Sequence, residues 1–158
     1  MAANPFENGT PGVLAPPPVI YAAFLLVGLG LQSVWPVAVL PETLRYVAGG
    51  GVVAASFVLA GLGWRAFVRA RTSVNVYRSS SALIVEGPFR FSRNPLYVSL
   101  TILYCGIALA LGNVWMLALA VPAVVVMHYG VILREERYLQ RRFGAEYERY
   151  NASVRRWL

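Results

Sequence analysis

The stretch Pro95–Leu133, PLYVSLTILYCGIALALGNVWMLALAVPAVVVMHYGVIL, decides the fold. It holds two apolar runs, Pro95–Leu111 and Val114–Leu133, parted only by Gly112-Asn113. A helix needs roughly 20 residues to cross the hydrocarbon, with about 17 as a lower limit, and both runs reach that length. Inside a bilayer each backbone N–H and C=O must be satisfied within its own segment, which selects helices. With so short a connection the two runs form a tight antiparallel hairpin. Working outward, two further apolar runs precede it, Pro18–Leu40 and Tyr46–Phe67.

The 158 residues are 58% hydrophobic, with a mean hydropathy of +0.56, too apolar for an ordinary soluble domain. The predicted fold is an all-α integral membrane protein. It has about four transmembrane helices followed by a cytoplasmic C-terminal amphipathic helix or helix pair. Residues 1–17 read as a flexible lead-in, 18–67 as the first two membrane helices, 68–94 as a cytoplasmic loop, and 95–158 as the hairpin with its C-terminal extension. No Lys or Arg precedes the first run, so it reads as a span rather than a cleaved leader.

Charge sets the expected orientation. Every basic residue is Arg, and the net charge is +7. Six Arg fall between Arg65 and Arg93 and seven between Arg134 and Arg156, whereas Gly112-Asn113 has none. The positive-inside rule then places 68–94 and both termini in the cytoplasm, as in a bacterial inner membrane protein. The Arg residues are tied to span ends, so they point to topology and anionic lipid rather than to nucleic acid. One His, one Cys and no Asp argue against a protein-built metal centre. Cys105 reads as a small apolar packing residue. Gly51 and Ala55, four apart on the second span, are expected to share a face where another helix approaches closely.

Polar residues cluster at the cytoplasmic ends of the hairpin. Before the third span stands "GPFRFSRNPLY", Gly87–Tyr97; the fourth span runs out through "HYGVILREER", His128–Arg137. The hairpin makes the two neighbours. His128 and Glu135 are seven apart, hence on one helix face, with Glu136 adjacent. Ionisable groups at membrane depth are functional candidates by default. Asn94-Pro95 also reads as a helix start, Asn being a good N-cap and Pro favoured at the first helical position. On pattern alone Arg93 is as consistent with an interface anchor as with a ligand. Downstream, Leu139, Phe143, Tyr147 and Tyr150 form an apolar and aromatic stripe, which Gly144 is expected to interrupt.

"GPFRFSRNPLYVS", the apolar hairpin, "REERYL", "FGAEYERY" and "VRRWL" together resemble the isoprenylcysteine carboxyl methyltransferase and phospholipid methyltransferase superfamily. The resemblance covers roughly Thr72–Leu158. It implies an integral membrane enzyme using S-adenosylmethionine, held at the cytosolic end of the hairpin with loop 68–94. It implies that Arg93, Asn94, Pro95 and Tyr97 match an Arg-His-Pro-x-Tyr motif, and that His128, Glu135 and Glu136 match positions leading into a Glu-Glu motif. Asn94 stands where eukaryotic members carry His; it keeps hydrogen bonding but cannot titrate. On this reading Glu135, Glu136 and Arg93 carry the chemistry. The carboxylates accept from ribose hydroxyls or ammonium, and Arg93 takes the cofactor's carboxylate. Tyr97 and Tyr147 offer ring faces, while Asn94 and the backbone at Leu83, Val85 and Gly87 read the adenine edge.

The expected acceptor is lipophilic, either an isoprenylcysteine-type carboxylate or a similar hydrophobic molecule. The alternatives are a phospholipid head-group amine or a thiol. A non-enzymatic scaffold that binds anionic lipid or a partner is the competing reading.

Overall fold

The computed structural model describes residues 11–37, 41–71 and 82–158. Among them it is helical throughout, without strands. Helix α1 spans Pro17–Val34, α2 Glu42–Arg69, α3 Pro95–Ala110 and α4 Val114–Met127. A π turn over His128–Ile132 joins α4 to α5, Leu133–Phe143, and Gly144 separates α5 from α6, Ala145–Ser153. A single 3₁₀ turn, Gly87–Arg90, leads into α3. The Ser run at 79–81 lies outside the described residues. α1, α2 and the continuous α4–π–α5 rod are long and apolar enough to cross a membrane; α3, with 16 residues, is shorter. At 1.5 Å per residue α3 is about 24 Å long, less than the ~30 Å hydrocarbon thickness.

The Gly112-Asn113 connection is the tight hairpin that its length demands. Gly112 adopts φ +62°, a conformation that costs glycine little. Asn113 is fully buried and works in two directions. Its side-chain oxygen accepts from the Met116 N–H at 3.0 Å and caps α4; its amide donates to the Gly28 carbonyl at 3.0 Å and ties the hairpin to α1. α1 lies along α4, and α2 lies along α3. The tilted Tyr21 and Tyr104 rings and a Tyr21–Thr101 hydroxyl bond of 2.6 Å join α1 to α3. The core, including Tyr104, Ala108, Met116, Ala123 and Met127, lies between these helices. Leu26, Val47, Phe57, Val58, Trp64 and Val121 face outward, as lipid-facing surfaces must.

Close α2–α3 packing uses other small residues than expected. Gly51 and Ala55 face outward. The approach is made at Gly49 and Gly63, where a Cβ would run into Ala110 and Leu96, and at Gly106, where it would meet Val53. Gly49, Ser56 and Gly63 recur every seven residues and are all buried, so they define the inner face of α2.

Residues 11–16 are docked rather than free. The Leu14 N–H donates to Gly130 O in the π turn at 3.0 Å, Val13 enters the core, and Arg134 donates to Gly12 O at 2.9 Å. Gly144 breaks the helix as its position predicts, with φ +51°, and a Gln140–Glu148 bond of 2.6 Å clips α6 beside α5. The inward stripe starts at Tyr138 rather than Leu139 and continues through Tyr147 and Tyr150.

Gly49→Leu overpacks the α2–α3 seam and is expected to cost about 1–3 kcal/mol, whereas Gly51→Leu stays within about 0.5 kcal/mol of the parent. Thermal unfolding of the two variants in detergent separates them.

Candidate functional site

The 3₁₀ turn and the residues after it carry the chain to the N-terminal mouth of α3. Gly87 permits the turn with φ +61°, and Pro95 occupies the first position of α3. Asn94 holds the N-cap position, but its side chain does not cap the helix. Its amide donates instead to the Arg156 carbonyl at 2.9 Å, and its own N–H donates to Ser92 Oγ at 3.1 Å. The amide therefore serves as a tether to the segment after α6.

The π turn decides which polar groups meet. A π turn holds more residues per revolution than an α-helix and rotates everything after it. The seven-residue spacing of His128 and Glu135 therefore does not bring them to a shared partner. Glu135 accepts from the Tyr97 hydroxyl at 2.7 Å, while His128 Nδ1 accepts from the Trp157 indole N–H at 3.4 Å. The next residue, Glu136, lies between two guanidinium groups. Arg156 donates to both of its oxygens at 2.9 Å in a fork. Arg93 Nη1 stands 3.0 Å from Oε1 as an ion pair. That Arg93 N–H points off the line to the oxygen, so the contact is charge attraction without an aligned hydrogen bond.

Burial sharpens this arrangement. The side chains of Arg93 and Glu136 are 9% and 14% exposed, and that of Arg156 is 35% exposed. Arg93 Nε and Nη1 are fully buried, with no hydrogen-bond partner among the described residues. Buried donors without acceptors are uncommon and costly. Two guanidiniums share the Glu136 carboxylate, and the neighbouring Glu135 brings the cluster to two arginines and two carboxylates. Glu136 holds Arg156 more firmly protonated than usual.

α6 closes the other side. Burial and, secondarily, the Glu136 charge push the Tyr147 hydroxyl up to about 12, although Arg93 hydrogen-bonds it and pulls the other way. Tyr147 thus stays a neutral phenol at physiological pH. Burial likewise raises Tyr150, which donates to Phe89 O in the 3₁₀ turn at 2.8 Å.

The structure thus gathers Arg93, Asn94, Pro95, Tyr97, His128, Glu135, Glu136 and Tyr147 at one end of the bundle. It sets Leu83, Val85 and Gly87 apart from them. These three line a cleft of about 450 Å³ against the end of α2, with Leu62, Arg65 and Arg69. Residues 82–86 are irregular and anchored by Ile84, which packs on Ala66 and Phe89. The 3₁₀ turn forms the partition, with Phe89 in the α2-side packing and its carbonyl on Tyr150. Sequence reading missed Arg156, Trp157 and Ser92. The signal was present in "SVRRWL": an Arg pair and a Trp just beyond a helix end, where neither extends a helical stripe.

Fold and site together define a class, an integral membrane protein with a buried cluster of arginines and carboxylates at the mouth of a helix hairpin. The sequence matches the phospholipid methyltransferase family over residues 44–146, more than half of the chain. The chain belongs to that family, within the superfamily that the motifs resemble. An uncharacterised protein of Haemophilus influenzae is 40% identical over 63 residues, which are 40% of this chain and all of that protein. No solved structure matches the chain.

Removing one partner from a buried ion pair leaves an uncompensated charge. Glu136→Gln is expected to lower ligand-free stability by about 3 kcal/mol, and Glu135→Gln, which loses a single charged acceptor, by about half as much. Denaturant unfolding of both variants in detergent measures the difference.

Proposed function

We propose that the protein transfers a methyl group from S-adenosylmethionine to a lipophilic acceptor. The reaction would take place at the cytoplasmic face of a bacterial inner membrane, with both termini on that side. The supporting observation is the buried Arg93 guanidinium, whose Nε and Nη1 make no hydrogen bond among the described residues although Nη1 is ion-paired to Glu136. Such a group calls for an anion, and the carboxylate of the cofactor's amino acid end is one. Glu135 uses one lone pair for Tyr97 and keeps others for ribose hydroxyls or ammonium. Glu136, forked by Arg156, serves as the counter-charge that holds the arginines and not as a direct ligand. Tyr97 and Tyr147 supply neutral phenols and ring faces around this point.

Bound S-adenosylmethionine supplies an electrophilic methyl group on a sulfonium centre. The chain's own task is alignment, which can lower a barrier by about 7–11 kcal/mol. The cleft at the end of α2 suits the anchoring part of an acceptor whose reacting group reaches past the 3₁₀ turn to the cofactor. Arg65 and Arg69 are four apart on α2, Glu86 is the one carboxylate in the lining, and Leu62, Ala66 and Ile84 continue it with apolar surface. A molecule with an anionic group and a hydrocarbon tail matches that lining. An isoprenylcysteine-type carboxylate needs no base, and to react it must lie beside the sulfonium and not on Arg65 and Arg69. The family match supports a second reading, a phospholipid whose phosphate meets these arginines and whose amine reaches past the 3₁₀ turn to be methylated; that amine needs a proton acceptor, for which Glu135, with one bond from Tyr97, is the candidate.

Titrating the purified protein with S-adenosylmethionine tests the reading. Saturable binding is expected. Arg93→Gln should weaken it about 10- to 150-fold, as loss of a charged hydrogen bond worth about 1.5–3 kcal/mol implies. The double variant Arg65→Gln/Arg69→Gln should leave it unchanged and raise the acceptor KM. Absence of saturable binding to the parent would favour a non-enzymatic scaffold.

A further inference from the structure

The segment Val154–Trp157 touches four separate parts of the cluster. The Arg93 N–H donates to Arg155 O at 2.9 Å, and the Asn94 amide donates to Arg156 O at 2.9 Å. The Arg156 side chain forks onto Glu136, and Trp157 reaches His128. Residues 154–157 lie outside the matched range 44–146. The segment thus clasps the mouth of α3, the π turn and α5 together.

The fork on Glu136 has a chemical consequence. A carboxylate and a guanidinium that meet freely settle into two parallel in-line bonds. Here Arg156 takes that geometry through Nε and Nη2, at 2.9 Å each. Arg93 Nη1 is left close to Oε1, at 3.0 Å, but out of line, and its Nε and Nη1 make no hydrogen bond among the described residues. We propose that Arg156 is a positioning residue that occupies Glu136 and so keeps the Arg93 donors open for an anionic ligand group. In this role Arg156 touches neither donor nor acceptor of the methyl group. Without it, Glu136 is free to turn onto Arg93 and satisfy the same donors. The inference rests on the methyltransferase reading for the identity of the anion, the carboxylate of the cofactor.

Two ligands separate positioning from general support of the fold. S-adenosylhomocysteine carries the amino acid carboxylate; 5′-methylthioadenosine has the same adenosine and lacks the amino acid end. In calorimetric titrations Arg156→Gln should lose at least about tenfold in affinity for S-adenosylhomocysteine and stay within about twofold for methylthioadenosine, a selective loss of about 1.4 kcal/mol or more. Arg156→Lys, which keeps the charge and cannot fork, should fall between parent and Gln variant. The exposed Arg149→Gln serves as the control and should bind both ligands like the parent. The decisive variant is Glu136→Gln/Arg156→Gln. With no carboxylate left to capture Arg93, it should recover most of the lost S-adenosylhomocysteine affinity.

A scaffolding role for Arg156 predicts the opposite, a double variant no better than the single one with both ligands weakened together; that result would overturn the proposal. Parent-like S-adenosylhomocysteine binding by Arg156→Gln overturns it as well. Failure of the parent chain to bind S-adenosylhomocysteine would overturn the methyltransferase reading and this inference with it. Should Arg156→Gln prove unfolded by circular dichroism, Arg156→Lys decides between the two roles: an S-adenosylhomocysteine loss without a methylthioadenosine loss supports positioning, and equal losses or none refute it.

Discussion

Glu136 between Arg93 and Arg156 is the constraint on which the polar end of the bundle depends. A carboxylate with both oxygens forked by one guanidinium and a second guanidinium at 3.0 Å is a tightly coupled charge group. Burying charge is costly unless it is paired, and here two guanidiniums share Glu136 while two Arg93 nitrogens make no hydrogen bond among the described residues. The ion pair holds Arg93 in place, and on the proposed reading its Nε and Nη1 are what receive an anion. The same group joins α3, α5 and the segment after α6, so local architecture and ligand preference have one physical source.

The membrane helices deliver these groups to one place. α3 is about 24 Å long, too short to span the hydrocarbon by itself, so the charges before Pro95 are drawn toward the apolar layer. Asn113 fixes the far end of the hairpin by capping α4 and binding α1 at once. From that fixed turn the near ends of α3 and α4 must arrive side by side. The π turn then sets the rotation of α5, assigning Glu135 to Tyr97 and Glu136 to the arginines. Leu14 and Arg134 brace it from the segment before α1.

Much of this is legible in the sequence because hydrophobic length and a two-residue turn leave few alternatives. The four helices, the hairpin, the break at Gly144 and the meeting of "SRNPLY" with "REER" all follow from apolar run length and from the neighbourhood that a hairpin enforces. Other features depend on facts outside local pattern. Gly49 and Gly63, not Gly51, make the close approach, because the inner face of α2 is chosen by the register of α3. The π turn has no residue signature in "HYGVI", yet it changes the partners of His128 and Glu135. Asn94 reads as a cap, and its amide is instead taken by a carbonyl 62 residues away. Arg156 and Trp157 sit beyond the last helical stripe, where periodicity assigns them no face; only the return of the chain past α6 brings them into the pocket.

The chain is therefore an integral membrane member of a methyltransferase family, with a buried Arg93–Glu136–Arg156 cluster at the mouth of its helix hairpin. The most direct measurement of the central claim uses S-adenosylmethionine labelled on its methyl group, incubated with the purified protein and total bacterial membrane lipid. The account predicts protein-dependent label in the organic phase, on a lipophilic molecule, and a yield reduced at least about tenfold for Arg93→Gln. Label at the protein-free level, or equal transfer by the Arg93 variant, would contradict it.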